Sequence, residues 1–150
     1  MQDKIEQDIK SALLSGDKQK VEVLRGLKNA ILYETVAQNA RQTGLSEEQI
    51  QKVLAREVKK RNEAAELYKK VGETSRAQAE LSEKSIIESY LPAQATEAEV
   101  SNVVNEEIAK FAAPSPGDMG KIIGIVRGRL GPVADGATIA RLVKQALEAK

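Results

Sequence analysis

The chain has 150 residues, room for one or two small domains. Its 23 Lys and Arg against 22 Asp and Glu leave a net charge of +1, so any electrostatic binding has to come from a local patch. Cys and His are both absent, which excludes disulfides, thiolate or imidazole catalysis and ordinary zinc sites; a metal would find oxygen ligands only.

Apolar residues recur at helical spacing along almost the whole chain. Ile5, Ile9 and Leu13 form a first stripe that stops at Ser15-Gly16. Asp17 is a good N-cap for a second helix with Val21, Leu24, Leu27 and Ile31 on one side. Gln38 to Leu45 reads as a loop, and Ser46 with Gln49 fits a capping box for a third helix carrying Ile50, Leu54, Val58, Arg61, Ala65 and Tyr68. Thr74 or Ser75 is the expected cap of a fourth, with Ala79, Glu83, Ile86 and Tyr90 on one face and Pro92 as its stop. Thr96 and Glu99 form a second capping box before Val100, Val103, Val104, Ile108 and Phe111. After the Pro114–Gly117 breaker, a sixth helix carries Met119, Ile122, Ile123, Val126 and Leu130 and ends at Gly131-Pro132. Asp135-Gly136 opens a seventh with Ile139, Leu142, Val143 and Leu147.

Seven helices and no strand make this an all-α chain. The joint between Leu91 and Ala95 divides it into an N-terminal four-helix bundle-like domain, residues 1–92, and a small three-helix C-terminal domain, residues 93–150. No apolar run approaches the roughly 20 residues of a membrane span. The opening MQDKIEQDIKSALL reads as neither a signal nor a transit peptide, so a cytoplasmic location and no membrane partner are expected.

Few residues suggest chemistry. Arg61 and Glu83 each interrupt an apolar face, and packed helices would pair them as a structural bridge or set them in a polar pocket. Glu80 and Glu83 share a face, but a di-iron reading lacks its histidines. Lys52 to Lys70 is locally basic at net +4, either a solvated face or a phosphate contact. Ser115 to Lys150 is basic at net +3, enough for a local patch. Gly120, Gly124 and Gly128 recur every four residues in the sixth helix. Each costs about 1 kcal/mol against Ala, so they imply either close helix packing or a bare face that a bulky partner approaches. Neither G-x-x-x-x-G-K-[ST] nor G-x-G-x-x-G occurs, no Ser-Lys pair is singled out, and no cofactor or metal is expected.

The strings Arg61-x-Glu63-Ala64-Ala65-x-x-Tyr68, Ala79-Glu80-x-x-Glu83, Tyr90-Leu91-Pro92-x-Gln94, Asp118-Met119-Gly120-Lys121-x-x-Gly124, Leu130-Gly131 and Ala134-Asp135-Gly136 occur in that order. In order and spacing they resemble the YqeY-like family, over almost the whole chain. The C-terminal half of that family is similar to the tail domain of the B subunit of the tRNA-dependent amidotransferase (the GatB/YqeY domain). The resemblance implies an all-helical two-part fold. It also implies a tRNA-binding-like module related to a carbon–nitrogen ligase that uses glutamine as amido donor, without that enzyme's catalytic domains. The tail's basic and glycine positions fall on Lys121, Gly124, Arg129, Gly131, Asp135 and Gly136. The chain departs from the pattern at Ile122-Ile123, where a Met is common, and at Pro132-Val133, which lengthens a loop and removes its basic residue.

Three readings follow. A non-catalytic module would bind tRNA or another structured RNA through Lys121, Gly124, Arg127, Arg129, Arg141 and Lys144. With one Phe, three Tyr and no Trp, it would recognise shape and phosphate rather than stack bases. A helical protein-interaction module would serve the translation or tRNA-aminoacylation machinery, with a synthetase or an amidotransferase subunit as partner. An independent amide-transfer enzyme ranks last, since acid–base work would fall to Glu or Lys alone.

Overall fold

The computed structural model describes residues 1–149, which form seven α-helices and two single-turn 3₁₀ segments, with no strand among them. The chain divides into two compact units, Met1–Leu91 and Pro92–Lys150.

The first unit holds α1 (Gln2–Ser15), α2 (Lys18–Ala37), α3 (Glu47–Lys70) and α4 (Thr74–Glu88). Gly16, at φ 75°, ends α1 in the left-handed conformation, and Asp17 accepts a hydrogen bond from the Lys20 amide at 3.1 Å to start α2. The Ser46–Gln49 capping box is closed in both directions, at 3.2 and 2.8 Å. The hairpin of α3 and α4 is the spine; α2 packs against both of its helices, and α1 packs on α2. Ile5, Leu24, Leu27, Ile31, Leu54 and Ile87 are sealed in one core. Each contributes about 1.5–3 kcal/mol by leaving water.

Two stripes are phased differently from the sequence expectation. Leu13 is 53 % exposed and Ala12 is buried in its place. A step of four residues drifts about 40° around a helix, so the second step from Ile5 leaves the buried meridian, whereas a step of seven stays on it. In α4, Ala77 and Ile87 are buried and Ala79 is exposed. Ser82 Oγ donates to Gln19 Oε1 at 3.4 Å, so α2 begins level with Ser82 and nothing covers Ala79 above it. That helix starts at Thr74 with Glu73 at the cap position and no side-chain cap bond, and it closes at Glu88, before Tyr90. Tyr90, in the turn after α4, is nonetheless buried in the core, its hydroxyl donating to Asp8 of α1.

The second unit holds α5 (Glu97–Ala109), α6 (Met119–Leu130) and α7 (Gly136–Glu148), each packed on the other two. Thr96 and Glu99 close the second capping box, and Asp135 caps α7 by accepting from the Thr138 amide at 3.1 Å. Val100, Val104, Ile108, Ile122, Val126, Ile139 and Val143 make its core. The segment entering this unit is tied to the turn after α6, where Ala95 N donates to Val133 O at 2.8 Å.

Candidate nucleic-acid interface

The six candidate contact residues lie on α6 and α7 and differ in their electrostatic state. Gly120, Gly124 and Gly128 run along the outer face of α6, and a Cβ built on any of them meets nothing within 4 Å. These glycines therefore serve no close helix packing; they leave a bare backbone strip in solvent. Lys121 and Arg127 flank the strip, exposed and without an ion-pair partner among the described residues. The Lys121 ammonium stands 5.6 Å from the centre of the Phe111 ring. The Arg127 guanidinium lies along Gly136, where a Cβ would come within 3.7 Å of it.

The other cations are engaged. Arg129 Nη1 donates to Glu107 at 2.7 Å and Nη2 to Glu106 at 2.9 Å, which braces α6 against α5. Arg141 pairs with Glu97, and Lys144 stands 4.0 Å from Glu148. Lys150 lies outside the described residues. The loop residue Gly131 adopts φ 59°, where its lack of a Cβ is needed.

Glu107, the centre of the brace, was missed in the sequence. It is 3 % exposed, the one buried charged residue among those described. Hydrogen bonds from Lys110 and from Arg129 hold its carboxyl below the ordinary 4.5, and the same carboxylates raise Arg129. The signal was present, because Glu107 follows Val103 by four residues and Val104 by three and so lies beside the apolar stripe of α5.

In the first unit, Arg61 Nη1 lies 2.6 Å from Glu83 and 3.6 Å from Glu80, joining α3 to α4. All three side chains are half-buried. The basic run from Lys52 to Lys70 is largely neutralised in place. Lys52 meets Glu48 at 3.0 Å, Arg56 meets Glu34 at 2.7 Å, Lys60 meets Glu57 at 3.0 Å and Lys69 meets Glu66 at 3.5 Å. Among the described residues no three acidic side chains gather as a metal site, and no helix is long and apolar enough to cross a membrane.

No curated protein matches the chain. The family described as Yqey-like protein matches residues 2–147, and with that coverage the chain belongs to the YqeY-like family.

Proposed function

We propose that this chain is a non-catalytic RNA-binding module, taking tRNA or another structured RNA, and related to the glutamine-dependent tRNA amidotransferases. Residues 1–92 and 93–150 act as two domains, with the RNA on the second. One observation carries this reading: the bare glycine strip of α6 lies between Lys121 and Arg127, two cations without an ion-pair partner among the described residues. A strip without side chains lets a phosphate backbone approach the helix, and free cations release counterions without first giving up a carboxylate. Arg141 and Lys144 join by exchanging surface glutamates, which costs little. Arg129 contributes mainly by holding α6 in place.

The test is a titration against bulk tRNA at two salt concentrations, with the Lys121→Ala/Arg127→Ala variant beside the parent chain. Binding should fall steeply with salt, and the variant should lose most of it. Binding that is flat between low and moderate salt would sink the RNA reading. A second reading is a protein-interaction module for a synthetase or an amidotransferase subunit. It is favoured by the apolar side chains left exposed on the N-terminal unit.

A further inference from the structure

Among the described residues, all seven exposed large apolar side chains belong to the N-terminal unit, and three of them fall within five residues of α2. Leu32 is 59 % exposed, Tyr33 78 % and Val36 40 %. At about 100° per residue they share one sector of the helix surface, opposite the buried Leu24, Leu27 and Ile31. Past the end of α2 the chain turns through Asn39, whose φ of 53° is left-handed, and Ala40 is buried. That brings Arg41, Gln42 and Thr43 beside Val36 around an open depression of about 420 Å³.

The unpaired charges nearest this patch are cationic. Nearby Lys28 and Glu34 are already spent, on Glu6 and Arg56, each at 2.7 Å. Arg25, two turns before Leu32, and Arg41, past the end of the helix, have no ion-pair partner among the described residues. Glu22 is also unpaired, but it lies farther from the apolar centre than Arg25 does. The surface is therefore an apolar patch with a free guanidinium at each end.

We propose that this face of α2 docks an acidic amphipathic segment of a partner protein, its apolar side chains on Tyr33 and Val36 and its carboxylates on Arg25 and Arg41. A second copy of this chain fits less well. A twofold contact centred on Tyr33 would bring Arg25 of one copy toward Arg41 of the other, cation against cation. Docking here rests on the protein-interaction reading of the N-terminal unit and makes no use of α6, so the tRNA titration neither supports nor removes it.

The experiment is a titration of the isotope-labelled full chain with a synthetic helical peptide carrying Leu at i, i+3, i+4 and i+7 and Glu elsewhere. The control peptide has Lys for every Glu. Amide shifts are expected at Leu32, Tyr33, Val36 and Asn39 to Thr43, with binding that weakens in salt. Tyr33→Ser and Arg41→Glu should each lower affinity about tenfold or more. Both positions are exposed, so both variants should melt with the parent chain. Equal binding of the Lys peptide, or no binding, would overturn the assignment. Shifts confined to another face of the first unit would overturn this surface while leaving that unit an interaction module. Self-association abolished by Tyr33→Ser, or displacement of the peptide from this face by RNA, would give the patch a different occupant and overturn it as well.

Discussion

Arg129 and Arg127 show what separates a cation that builds the fold from one that is free to bind. Glu107 is buried and anchored by Lys110 and Arg129, so its carboxyl sits below the ordinary 4.5 in the folded chain. A depressed acid stabilises the fold at any pH above its unfolded value and loses that contribution as pH falls through its folded value. Glu6 and Glu34 are lowered too, by Lys28 and Arg56, so the acid slope of the whole protein is shared. Glu107→Gln should therefore melt lower than the parent chain at pH 7, and the gap should narrow below about pH 4.5. A gap that stays constant down to acid pH would show that the charge plays no part. Arg129→Ala strands a buried carboxylate on Lys110 alone and should lower the melting temperature by several degrees. Arg127→Ala breaks no ion pair and should stay within about 0.5 kcal/mol of the parent in stability, while reducing the salt slope of RNA binding by about one. Tyr90 offers the opposite sign. Burial first, and then its hydrogen bond to Asp8, raise its phenol above the ordinary 10, so its contribution is present below pH 10 and lost above it. A spectrophotometric titration should show one late-ionising tyrosine that disappears in Tyr90→Phe.

At the scale of elements, the sixth helix gives the sharpest test of why a residue is present. A glycine inside a helix costs about 1 kcal/mol against alanine, and no neighbour occupies the space of a Cβ at Gly124. Gly124→Ala should thus raise the stability of the C-terminal unit by about 0.5–1 kcal/mol. If RNA affinity falls in this more stable variant, the bare strip serves the ligand; if affinity is unchanged, the glycine has no role in binding. The elements were legible in the sequence wherever a local signal sufficed. Both Ser/Thr capping boxes, the Asp17 and Asp135 caps and the Gly16 stop need only residues within one turn of each other. Reading failed where burial depends on what lies across the gap. Ala79 had the right spacing but faces a level that α2 does not reach, and Leu13 belonged to a four-residue repeat that rotates off the core. The site was legible as a set of residue types. Which cations are free was not legible, because Arg127 and Arg129 look alike until α5 places Glu106 and Glu107 beside only one of them.

At the scale of the whole molecule, the two hydrophobic cores share no residue. Leu54 and Ile87 lie in one, Ile122 and Val126 in the other, and all four are almost completely sealed. If the units are independent domains, damage to one core should stay there. Leu54→Ala and Ile122→Ala each remove a fully buried branched side chain, a change that costs about 2–5 kcal/mol according to how far the site can collapse. Native-state hydrogen exchange reads the two regions separately. Ile122→Ala should lower protection across α5 to α7 and leave the slowest amides of α1 to α4 as they are, and Leu54→Ala should do the reverse. An equal loss throughout, for either variant, would mean that the chain unfolds as one cooperative body, and binding at α6 and docking at α2 would then be coupled through stability. Independent losses would let each surface be altered without disturbing the other, so that a binding defect in Arg127→Ala or Tyr33→Ser could be assigned to the surface on which the substitution lies.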